Sequence, residues 1–136
     1  MVSIIKKKAL KLERLIARIN VIVREEVVKE RDLIIKMNRE QLRLGKKADG
    51  SRMPKYVKNS KQPSAPGPIT LFDKGEFHAG IDTLFDDVGI ELIGTDVKTP
   101  FLLKYGNILG LTTPNIKKLQ NTVRPHIMAR IRKLLM

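Results

Sequence analysis

The chain has no cysteine and no tryptophan, and only four phenylalanines and two tyrosines among 136 residues. Without cysteine, disulfides and thiolate chemistry are excluded, and synthesis in a reducing cytoplasm is the expectation. The few aromatics are not interleaved with the basic residues, so a platform for stacking nucleic-acid bases is not supported. The two histidines, His78 and His126, stand far apart with no second histidine near either, so no zinc-type ligand spacing exists. No apolar run approaches the roughly 20 residues that span a bilayer, and no membrane partner is expected. At the N-terminus the apolar residues precede Lys6, Lys7 and Lys8, the reverse of the order in a signal peptide. Glycine and proline are absent from residues 3–44, and no acid follows Asp96.

What is present is basic charge, unevenly spread. Residues 1–64 hold 18 Lys/Arg against 7 Asp/Glu, residues 65–97 hold one lysine against 7 acids, and residues 98–136 hold 8 Lys/Arg and no acid. An acidic middle between basic ends can pair with copies of itself or present its basic surfaces to a polyanion.

Apolar residues through 3–44 recur at spacings of three and four, among them Leu12, Ile16, Ile19, Val23, Ile34, Met37 and Leu44. That period predicts an amphipathic helix. At 1.5 Å per residue it would extend about 60 Å, more than this domain can cover. Either it bends within 27–32 or it packs on partner subunits. Gly45 is a suitable C-terminal stop. Residues 45–68 read as a basic, proline-rich loop. Too few of its side chains are apolar to offset the entropy of fixing about 20 residues, so contacts with neighbouring subunits are expected to order it. Residues 69–97 read as strands, with Phe77, Ala79, Ile81 and Thr83 facing one way and a turn around Asp86, Asp87 and Gly89. Thr113 is placed as N-cap of a C-terminal helix with Pro114 at its first position and a kink at Pro125. The fold class is therefore α+β: a helical arm (1–44), a basic loop (45–68), and a small α+β core ending in a helix (69–136).

No constellation carries catalysis. Asp86 and Asp87 are adjacent in a turn rather than paired across a site, and the glycines lack the lysine and hydroxyl of a phosphate-binding loop. No cofactor and no metal is expected, and the chain reads as a non-enzyme.

One set of short motifs remains. Gly45, Asp49-Gly50, Pro54 and Tyr56 precede the proline-rich loop; Leu71, Gly75, Phe77 and Gly80 follow it; Tyr105-Gly106 closes a later step. In this order, over about residues 38–136, they resemble the neck and tail-completion proteins of tailed bacteriophages, most of all those of Bacteroides crAss-like phages. The resemblance implies a virion structural protein of the head–tail connector, made in the host bacterial cytoplasm. It implies a twelvefold or sixfold homo-oligomeric ring that touches the portal or other neck and tail proteins and lets DNA pass through.

On that reading Leu12, Ile16, Ile19 and Val23 form a subunit interface, and Asp82, Asp86, Asp87 and Glu91 pair with a neighbouring copy. Lys117, Lys118, Arg130, Arg132 and Lys133 are candidates for non-specific DNA contact or ring-to-ring contact. The alternative is a small basic nucleic-acid-binding regulator or ribosome-associated protein.

Overall fold

The computed structural model describes residues 2–55, 67–71, 75–86 and 89–136. The expected α+β architecture is present: a long N-terminal helical region, a two-stranded antiparallel sheet and a C-terminal helix. The N-terminal region is two helices, α1 (Val2–Lys29) and α2 (Arg31–Arg43). The break falls at Glu30, inside the stretch where a bend was one of two alternatives. There φ −95° and ψ 20° leave the helical region, and the Glu30 N–H bonds the Val27 carbonyl three residues back.

The break divides two environments. α2 buries Ile34, Ile35, Met37, Asn38, Gln41 and Leu42 on one face. Among the described residues of α1, Ile22 is the one buried apolar side chain. The arm expected over 1–44 is therefore shorter, because α2 belongs to the core. Leu44, placed on the apolar stripe by its spacing, sits at the helix end and is exposed. Just past it Gly45 takes φ +70°, its N–H bonds the Leu42 carbonyl, and Lys46 N–H bonds the Gln41 carbonyl. This pairing satisfies two of the last orphan carbonyls of α2 and requires a left-handed residue. A Cβ at Gly45 would also lie 2.6 Å from the Pro68 ring, so the stop doubles as a close packing point.

The loop expected to depend on neighbouring subunits is partly tied down by its own chain. Met53 is buried in the core. Met53 N–H bonds the Gly45 carbonyl, Ile69 N–H bonds the Pro54 carbonyl, and Ala48 N–H bonds the Asn107 carbonyl. One apolar side chain and a few backbone bonds tie down the described residues of the loop. The remainder of that expectation, with Tyr56 and the prolines at 63 and 66, falls outside the described residues.

Residues 76–79 are helical, which corrects the extended reading of Phe77 and Ala79. Gly75, at φ +84°, caps a single turn, α3 (Glu76–Ala79). The Arg39 guanidinium, reaching over from α2, donates to the His78 carbonyl at 2.6 Å and the Ala79 carbonyl at 3.2 Å. Strands β1 (Ile81–Phe85) and β2 (Ile90–Gly94) follow, in register from Ile81 opposite Gly94 to Phe85 opposite Ile90. Ile81 and Thr83 point inward, as their alternation predicts. A lone hairpin is marginal in water, and this one is held by packing of β1 on α2. A second short turn, α4 (Thr99–Leu102), runs into a 3₁₀ turn at Leu103–Tyr105. Last comes α5 (Thr113–Leu135), which begins one residue earlier than expected, with Thr112 as N-cap, and continues as helix through Pro125. The core is one cluster of Ile35, Leu42, Met53, Ile69, Leu71, Phe77, Ile81 and Ile108.

Two buried amides lock α5 onto α2. Gln41 Nε2 donates to the Gly110 carbonyl at 2.8 Å, while its Oε1 accepts from Thr112 N–H at 2.9 Å and Asn115 Nδ2 at 2.6 Å. Asn38 Nδ2 donates to the carbonyls of Ile108 and Gly110, both at 3.1 Å. Buried polar groups must be bonded, so these contacts fix the course of the chain into α5.

Candidate assembly surfaces

Beyond the core, α1 and α5 run antiparallel as a two-helix arm. Arg130 spans them, donating to Glu25 at 2.8 Å and Glu26 at 3.2 Å. Four residues further on, Leu134 borders Arg18 and Ile22. Glu26 also accepts from Lys29 at 2.9 Å. The Lys29 bond, and then Arg130, hold the Glu26 carboxyl below its usual range against the opposing effect of burial. Arg130 is correspondingly raised, first by Glu25.

The fold thus brings together basic segments that lie at opposite ends of the sequence. The two helices of the arm carry 14 Lys/Arg and 3 Asp/Glu, a net +11 of the chain's +13. Everything outside the arm is close to neutral. Lys117, Lys118, Arg132 and Lys133 are exposed along α5, as is Arg124.

Apolar side chains are exposed on the same arm. Leu12 is 57% exposed, Ile16 50% and Val23 37%; Ile19 is half-buried. With Ile5 these residues follow one another at intervals of seven, four, three and four, which places them on one side of α1. The described residues of this chain cover that side only in part: Leu12 and Ile16 are at least half exposed, while Val23 faces the hairpin tip.

Open grooves border the arm and the sheet, three of them of about 500 Å³ or more among the described residues. At the arm tip, about 660 Å³ is enclosed by Lys8, Lys11, Arg14 and Arg18 with leucines of both helices. Between the hairpin tip and α1, about 500 Å³ separates Asp86 and Ile90 from Val23 and Arg24. A third, of about 620 Å³, lies between β2, the 109–111 segment and the start of α5, with Ile34 as its floor. Its lining is aliphatic apart from Glu91, Thr99, Asn107 and glycine backbone, and it holds neither a nucleophile beside a base nor paired carboxylates. Among the described residues no group of three His, Asp or Glu could hold a metal ion, and no helix is long and apolar enough to cross a membrane.

The acids expected to pair across subunits are partly engaged within the chain. Asp82 is held by Arg31, whose Nε donates at 3.1 Å and whose Nη2 makes a second, closer contact. That bond is the main reason its carboxyl lies below the usual range. Asp86 accepts from Gly89 N–H at 2.8 Å and closes its own turn. Glu91 is exposed at the rim of the third groove, and Asp87 lies outside the described residues. Arg130, expected to face DNA or another ring, instead joins the two arm helices. Of the motif residues, Asp49 accepts from Ser51 N–H and Oγ in a turn with Gly50, and Phe77 is buried in the core. Leu71 is buried with φ +59°, a strained value for a leucine. Gly80 receives Thr95 N–H and Oγ1 on its carbonyl, Tyr105 packs against the core, and Gly106 ends the 3₁₀ turn. These residues determine turns and packing. The contacts of Arg31, Arg39, Asn38 and Gln41 were not legible in the sequence: Asn38 and Gln41 are polar residues at buried helical positions, while Arg31 is exposed and Arg39 half-buried.

No family model matches the chain, and no curated protein or solved structure is significantly similar to it.

Proposed function

We propose that this chain is a structural, non-enzymatic subunit of a ring in the head–tail connector of a tailed bacteriophage, with DNA passing through the ring. The observation that carries the reading is the arm: a helix of 28 residues whose apolar side is left open, fused to a core too small to cover it. Branched aliphatic side chains exposed in such number on one helix face are costly in water and are ordinarily covered by a partner. A cyclic assembly repeats one heterologous contact until it closes. The uncompensated +11 of each arm would then be multiplied around the ring, suiting contact with DNA or an acidic neighbour.

The same charge favours a second reading, a monomeric or dimeric nucleic-acid-binding regulator. Sedimentation of the purified chain with and without random-sequence duplex DNA separates the two. The connector reading expects a large oligomer in the absence of DNA. A monomer or dimer that binds duplex tightly, with affinity falling steeply as salt rises, supports the regulator and overturns the ring.

A further inference from the structure

The groove at the arm tip has a chemistry that neither DNA nor another copy of this chain satisfies. Its rim is cationic: Lys8, Lys11, Arg14 and Arg18, all exposed. Its floor is leucine: Leu12 and Leu15 from α1 with Leu134 and Leu135 from α5. Leu12 is 57% exposed and Leu135 63%, while Leu15 and Leu134 are recessed between the helices. We infer that this groove docks an acidic amphipathic helix belonging to a different protein, with apolar side chains on the leucines and carboxylates on the cations.

Charge complementarity selects this occupant. A phosphate backbone would neutralise the rim and leave the leucines in water. A second arm would bring +11 against +11. Four acids of a second copy are already engaged: Glu25 and Glu26 hold Arg130, Asp82 holds Arg31, and Glu76 pairs with Lys98 at 3.5 Å. A bilayer surface is flat, whereas two of the four leucines are recessed in a cleft. Neither arm helix contains the tryptophan, tyrosine or phenylalanine that interfacial helices use as anchors. The rim from Lys8 to Arg18 extends about 15 Å, which matches about three turns of a partner helix. Helix-in-groove recognition then calls for apolar anchors at i, i+3 and i+4 with acids flanking them.

The inference does not require the ring. Its test uses the full chain and a fluorescein-labelled peptide with leucine and glutamate at helical spacing. A second peptide replaces the leucines by serine. Random-sequence duplex DNA and phosphatidylglycerol vesicles are run alongside. The leucine peptide is expected to bind, with the serine peptide about tenfold weaker or worse, since affinity rests on burying the leucines as well as on charge. Leu135→Gln, at an exposed position of the groove outside the apolar stripe of α1, should weaken the leucine peptide several-fold, preserve the circular dichroism spectrum, and leave duplex binding unchanged. Equal binding of the two peptides, or an unchanged affinity in the Leu135→Gln variant, overturns the inference. Loss of duplex or vesicle binding in the same proportion overturns it too, in favour of nucleic acid or membrane. An oligomer that fails to bind the peptide refutes the docking alone; a monomer that binds it refutes the ring alone.

Discussion

At Gln41 a single side chain holds a carbonyl, a backbone N–H and a side-chain amide of the segment leading into α5. Replacing it by methionine keeps the bulk and removes every partner. The Gly110 carbonyl keeps Asn38, but the Thr112 N–H is left buried without this bond. Such a loss costs about 1–3 kcal/mol for each orphaned group. Gln41→Met is therefore expected to lower unfolding stability by about 2–4 kcal/mol in urea denaturation; a change under about 0.5 kcal/mol would contradict the role. His78 offers a second test. Its Nε2 donates to the Thr70 carbonyl at 2.7 Å. Burial, then Arg43 and Arg39, push its pKa below the ordinary value, against the Thr70 bond. The unfolded imidazole takes up its proton near pH 6.5, whereas the folded one resists to lower pH. Between those values the unfolded state binds more protons, so stability falls as pH falls. The urea midpoint should drop on acidification through about pH 6.5, and His78→Gln should flatten that slope. Equal slopes in the two proteins would remove His78 from the explanation. Neither residue announces its role in the sequence. Gln41 reads as a flaw in an apolar stripe, because a periodicity argument counts only apolar positions and a satisfied buried amide leaves no pattern.

At the scale of elements, the long helices and the hairpin were legible. Period, the Thr-Pro start of α5, the Gly45 stop and the Asp86–Gly89 turn all follow from local chemistry. The turn at 76–79 was not, since four residues between two glycines are too few to display a helical period. Nor was the pairing of α1 with α5. Both helices are basic, which argues for separation, and what joins them is one arginine between two glutamates about a hundred residues away in sequence, together with apolar side chains such as Ile22 and Leu134. This makes Arg130 the point at which the arm should open. Arg130→Ala is expected to speed amide hydrogen exchange in the C-terminal half of α5 and leave α2 protected, because the core lies elsewhere. Uniform protection of α5 in the variant would show that the leucine contacts alone hold the arm.

For the whole molecule, the sequence reveals the charge but not its distribution in space. Read linearly, an acidic middle separates two basic ends. Folded, the acids near the hairpin are partly engaged by Arg31 and by backbone, and the two ends merge into one arm bearing nearly all the net charge. A molecule built this way has one surface seeking anions and apolar cover together. The ring proposal draws on the open side of α1, the DNA contact on the charge of the arm, and the docking of an acidic helix on the groove at its tip. The most direct measurement of the central claim is native mass spectrometry of the purified chain at low ionic strength. A ring subunit should give a closed oligomer, sixfold or twelvefold in mass over the single chain, and Ile16→Asp on the open side of α1 should reduce it to monomer. A monomer or dimer from the unsubstituted chain would contradict the account.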